Sequence, residues 1–96
     1  MITLPVEKAR ADVFVSGIVQ GVFFRKTCQK EAKKMGITGW VKNLKDGRVE
    51  AIFEGEKDKL EKMIKWAKGG PILAAVDGLE INWEDYQGEF NKFEIR

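Results

Sequence analysis

Between Arg10 and Gly17 apolar and polar residues alternate, with Ala11, Val13 and Val15 on one face and Asp12, Phe14 and Ser16 on the other. A period of two predicts a half-buried strand. From Phe24 to Met35 the period changes: Phe24, Cys28, Ala32 and Met35 recur at spacings of four, four and three, and Lys26, Lys30, Lys33 and Lys34 lie elsewhere around the turn. That spacing predicts an amphipathic helix, stopped by Gly36. Ile37 to Asn43 and Arg48 to Glu54 read as two strands around the turn residues Asp46-Gly47. In the first, Ile37, Gly39, Val41 and Asn43 share a face, so an amide ends an otherwise small or apolar row. In the second, Val49, Ala51 and Phe53 face the core, with Glu50 and Glu54 outward.

Glu56 to Lys68 predicts a second amphipathic helix carrying Leu60, Met63, Ile64 and Ala67 on one face, with Asp58–Lys62 and Glu61–Lys65 as i,i+4 pairs. Gly69-Gly70-Pro71 ends it. A strand follows from Val76 to Glu84, with Leu79, Ile81 and Trp83 in register, and Phe90 to Arg96 can add a short fifth strand. The order β-α-β-β-α-β suits an α+β, ferredoxin-like split βαβ sandwich: an antiparallel sheet with both helices on one face. Residues 1–96 are expected to form one domain, without repeat or linker. That fold carries RNA-binding modules, ligand-binding regulatory domains, metal chaperones and a few enzymes, so topology leaves activity open.

Composition narrows the chemistry. Of 96 residues 44% are hydrophobic and 33% charged, as in an ordinary folded chain. Lys and Arg total 17 against 15 Asp and Glu, and a net charge of +2 gives little general reason to expect nucleic acid or an acidic membrane surface. Any anion preference must be local. The segment Met1 to Arg10 mixes Glu7, Lys8 and Arg10 among few apolar residues, and the longest later apolar run is Ile72 to Val76, so neither a signal peptide nor a membrane span is expected. Cys28, the only cysteine, excludes an intramolecular disulfide and a Cys-cluster metal site, which fits a reducing, cytoplasmic setting. There is no histidine, one serine (Ser16) and one tyrosine (Tyr86), so a histidine-assisted triad and a His-ligated zinc site cannot be built within the chain. An enzyme with this inventory works through Arg, Lys, carboxylates, amides and backbone N–H groups.

One junction stands out against that inventory. Gly17-Ile18-Val19-Gln20-Gly21-Val22-Phe23-Phe24-Arg25 joins the first strand to a basic helix with no Ser, Thr, Asp or Asn between Ile18 and Arg25 to cap the helix start. The first N–H groups of a helix lack intrahelical partners, and its positive end favours an anion. Gly21 lets the backbone come close and Arg25 sits in the opening turn, so a phosphate-like group is the natural occupant. Trp40, opposite the Asn43 face, keeps an RNA-stacking alternative in view, but the basic, multi-aromatic strand signature of such modules is missing.

Two segments resemble the acylphosphatase family: Gly17 to Arg25, read as GxVQGVxFR, and Gly39 to Gly55, read as GWVKNLKDGRVEAIFEG. Length and element order match as well. The resemblance implies hydrolysis of the carboxyl–phosphate bond of small acyl phosphates, without a metal or other cofactor, by a monomeric chain. Arg25 matches the phosphate-binding arginine, and Gln20, Gly21, Val22, Phe23, Phe24 and Arg25 match the loop whose N–H groups wrap the phosphate. Asn43 matches the asparagine that orients the attacking water. Leu44 departs from the family pattern, where Thr is frequent, and removes an auxiliary hydrogen bond there. The alternative expectation is a non-catalytic ferredoxin-like module that binds an anionic ligand or RNA through the same loop and sheet.

Overall fold

A computed structural model describes residues 6–96. Residues 1–5, which the expected domain and the N-terminal reading include, lie outside the described residues. In chain order the elements are β1 (Lys8–Ile18), α1 (Phe24–Lys34), β2 (Thr38–Asn43), β3 (Val49–Glu56), α2 (Lys57–Gly69), β4 (Ala75–Glu84) and β5 (Phe93–Ile95). The sheet order is β4-β1-β3-β2-β5. The four longer strands pair antiparallel, as expected for the ferredoxin-like arrangement, whereas β5 joins the edge parallel to β2 and makes the sheet mixed.

Alternation decides which face is core. Ala11, Val13 and Val15 stand opposite Phe53, Ala51 and Val49, and all six are buried beneath the helices. Phe24, Cys28 and Ala32 of α1, and Leu60, Met63, Ile64 and Ala67 of α2, close this layer. Phe53 and Phe93 stack with ring centroids 5.7 Å apart. Gly39 lies between them in register and, at φ 137°, would drive a Cβ into the Ile52 carbonyl. Only glycine fits there. Burial pushes the Cys28 thiol far up, as suits an inert core group. The i,i+4 pairs expected on α2 do not form. Lys59 instead pairs with Glu56 at 3.7 Å and Lys57 with Glu7 at 3.7 Å, because the helix start packs beside the beginning of β1.

The expectation for Glu54 is overturned. Alternation places it on the face away from the helices, yet its side chain is 0% exposed. To pass from β4 at one edge to β5 at the other, residues 85–92 must cross the sheet, and they run over this end of the open face. There Glu54 accepts the backbone N–H groups of Gln87 (2.8 Å) and Glu89 (2.9 Å). Arg10 bridges Glu54, Glu84 and Glu89 at 3.5, 3.1 and 3.0 Å. A buried carboxylate is tolerable only when paired and hydrogen-bonded in this way.

Asp12, on the same open face, stands opposite Ile52 and Asn82, one step from the Glu50–Phe14–Glu80 row. Its Oδ1 is buried without a hydrogen-bond partner. Burial first, then the hydrogen bond and charge of Glu50, push its carboxyl from 3.8 to about 7; Glu80 adds to the rise and Arg10 opposes it.

Two outcomes test these contacts. Glu54→Ala removes the acceptor of two N–H groups, strips the buried partner from Arg10 and loosens the crossing segment, so urea unfolding should show a loss of about 2–4 kcal/mol; a loss under about 0.5 kcal/mol would count against the clasp. A folded-state pKa raised to about 7 stabilises the fold at low pH and is lost as pH rises through that value. Asp12→Asn should therefore raise the thermal midpoint above pH 7 and give a shrinking difference toward pH 5. A difference that grows toward acid contradicts the assignment.

Candidate active site

Beyond β1 the chain turns through residues 19–23 into α1 over a very short distance. Gly21 (φ 74°) and Phe23 (φ 65°) are both left-handed, and Phe23 is the one non-glycine residue with positive φ among the described residues. Alternating left-handed positions of this kind turn successive N–H groups toward a shared concavity. For Phe23 the conformation costs about 1–2 kcal/mol. Helix α1 then starts with no side-chain cap and no acid in its first turn, while Lys33 and Lys34 sit in its last. Its N-terminal donors and positive end are therefore left for another acceptor.

The loop is held although its donors are free. Gln20 Nε2 donates to the carbonyls of Leu44 (2.7 Å) and Arg48 (3.0 Å), fastening the loop to the turn between β2 and β3. That turn is itself closed: the Leu44 N–H donates to Arg48 O at 2.8 Å, and Asp46 accepts the Arg48 N–H and Nε at 3.1 and 2.8 Å. These bonds, the backbone one first, hold the Asp46 carboxyl below its usual range. On the helix side the Phe23 carbonyl accepts from Thr27 Oγ1 (2.8 Å), and the Phe24 ring packs 5.2 Å from Trp66 of α2.

A cavity of about 260 Å³ opens at this junction. Of the expected residues, Gly21, Phe23, Phe24, Arg25 and Asn43 line it. Gln20 and Val22 do not: Gln20 spends its side-chain amide on the hairpin, and Val22 packs against the core. Val19, Lys26 and Ile95 complete the wall and were missed from the sequence. Ile95 arrives through β5, which Gln29 ties to α1 by donating to Phe93 O at 3.0 Å. No motif pointed to it, because a three-residue parallel strand has no periodic signal of its own.

Arg25 is half-buried, and among the described residues no carboxylate pairs with it. Asn43, last residue of β2, has a buried Oδ1 with no protein donor. The wall thus holds two cations, a positive helix end, an amide acceptor and no acid. Among the described residues no group of three or more His, Cys, Asp or Glu is placed to hold a metal ion, and no helix is long and apolar enough to cross a membrane.

Fold and cavity together define a small ferredoxin-like α+β sandwich with a cationic cleft at a helix start. The acylphosphatase family model matches residues 11–95. An acylphosphatase of Pyrobaculum calidifontis is 55% identical over 91 residues, covering 94% of this chain and 83% of that protein. The structure of an acylphosphatase from Coxiella burnetii superposes with a TM-score of 0.88 at 38% identity and 93% coverage of both chains. That of the Bacillus subtilis acylphosphatase gives 0.88 at 34%, covering 92% of this chain and 98% of that one. The chain belongs to the acylphosphatase family, hydrolases of small-molecule acyl phosphates.

Gln20→Ala tests the fastening. Two side-chain hydrogen bonds are lost while both carbonyls keep a backbone donor, so stability should fall by about 1–2 kcal/mol. Hydrogen exchange should quicken at Leu44 and Gly47. Unchanged protection there would mean that the turn stands without the loop.

Proposed function

We propose that the chain hydrolyses acyl phosphates by direct attack of a water held by Asn43 on a phosphoryl group held by Arg25 and the loop N–H groups. The observation that carries this is the convergence of Arg25, from α1, and Asn43, from the end of β2, on one cavity, with Asn43 Oδ1 free of any protein donor. The water oxygen forms a bond to phosphorus and the bond from phosphorus to the acyl oxygen breaks. Its electron pair leaves with the carboxylate, and the water's proton passes to a phosphate oxygen of the substrate. No side chain need change its protonation.

Each group has a physical reason for its part. Charge in phosphoryl transfer spreads over the equatorial oxygens, so positioning and electrostatic stabilisation dominate. The Arg25 guanidinium offers a rigid fork of donors that can meet two oxygens, which a lysine cannot. An asparagine accepts from water through Oδ1 and donates through Nδ2 without ionising. A module that only binds an anion or RNA gives Asn43 no task, and the acids Asp12, Glu50 and Glu80 on the open face repel a phosphate backbone.

The test is phosphate release from acetyl and benzoyl phosphate by the purified chain in excess chelator. Arg25→Ala and Asn43→Ala should each lower kcat/KM by roughly 100-fold or more. Arg25→Lys should recover little of the loss. Near-wild-type turnover in any of the three removes that residue from the proposed chemistry.

A further inference from the structure

Phe23 is disfavoured twice in the free protein. Its backbone is left-handed, and its ring is 67% exposed rather than packed in the core. A glycine would relieve both, and nothing within the fold compensates for the ring. Strain and exposure combined at the lip of a binding cavity point to a partner outside the chain. The ring lines the cavity beside Arg25, and Ile95, 39% exposed, lines it from β5. Arg25, Asn43 and the loop N–H groups suit a phosphoryl group, which leaves the remainder of the wall free to face the acyl group. Apart from Lys26, that remainder is apolar.

We propose that Phe23 is the specificity-determining residue of the site: its ring, with Ile95, forms an apolar wall for the acyl group, so that aryl and bulky apolar acyl phosphates are preferred over acetyl phosphate. This rests on the acyl phosphate hydrolysis proposed above. Binding of an apolar acyl group covers the exposed ring and removes apolar surface of both partners from water. An acetyl group offers little apolar surface with which to cover it. The phosphoryl contacts are common to every substrate, so discrimination falls to this wall.

The experiment compares kcat/KM for benzoyl and acetyl phosphate in the wild-type chain, Phe23→Gly, Phe23→Tyr and Ile95→Ala, with inhibition by inorganic phosphate measured alongside. Phe23→Gly keeps the left-handed backbone accessible while removing the ring, so the benzoyl-to-acetyl ratio should fall about 10-fold. Phosphate inhibition should shift much less. Phe23→Tyr should keep the ratio, and Ile95→Ala should lower it by a smaller factor. An unchanged ratio in Phe23→Gly, or an equal fall for both substrates, overturns the specificity role while leaving hydrolysis itself intact. Preference by the wild-type chain for succinyl over benzoyl phosphate, abolished by Lys26→Met, overturns it in favour of Lys26 as the acyl-reading group. Failure of the wild-type chain to hydrolyse either substrate overturns the underlying chemistry as well.

Discussion

The proposed chemistry depends on one constraint: the N–H groups at the start of α1 must be held still without being given protein partners, and the helix indeed starts without a side-chain cap. An ordinary cap would satisfy them and fill the place an anion needs. The chain anchors the loop by its other surfaces instead. Gln20 reaches across to the carbonyls of Leu44 and Arg48, Thr27 holds the Phe23 carbonyl, and the Phe24 ring is wedged against Trp66. The first of these also sets the distance between the two halves of the site, since the turn that Gln20 grips begins just after Asn43. On the proposed mechanism rigidity of this kind matters more than any single contact to substrate, because a site that works by positioning loses its advantage when its groups drift.

The wall opposite the loop rests on a more distant device. Ile95 belongs to the last strand, and β5 can pair with β2 only after residues 85–92 have crossed the whole sheet. The Glu54 carboxylate catches that segment midway by two backbone N–H groups, with Arg10 balancing its charge. An ion cluster built on the buried Glu54 at one end of the open face thus helps hold a cavity residue on the other side of the sheet. Gly39 contributes in the same sense: it pairs in register with both Phe53 and Phe93, at a point where the Ile52 carbonyl leaves no room for a Cβ.

The elements themselves were legible because periods of two and 3.6 separate strands from helices and put Ala11, Val13 and Val15, or Leu60, Met63 and Ile64, on a common face. Arg25 and Asn43 were legible through their motifs, and the structure brings both to one cavity. Glu54 was misread for a physical reason. Alternation tells which side of a sheet a residue faces, but not whether a later segment will cover that side. Gln20 illustrates the complementary limit: its motif speaks of its backbone N–H, and no pattern in the sequence announces that its side chain fastens the hairpin. Ile95 and Val19 depend on where short, non-periodic segments finally lie, and that is decided by tertiary contacts far along the chain.

The distribution of titratable groups separates stability from chemistry. The side chains that line the cavity are an arginine, a lysine, an amide and apolar groups, and none of the proposed roles requires a proton to move on or off the protein. Asp12, whose carboxyl is raised to about 7, lies on the opposite face of the sheet among Glu50 and Glu80. A change of pH from 6 to 8 therefore acts on the fold through Asp12 before it acts on the site. On the proposed mechanism a histidine-free cleft needs no titrating partner: positive charge and fixed geometry would do the work that a tuned acid or base does elsewhere.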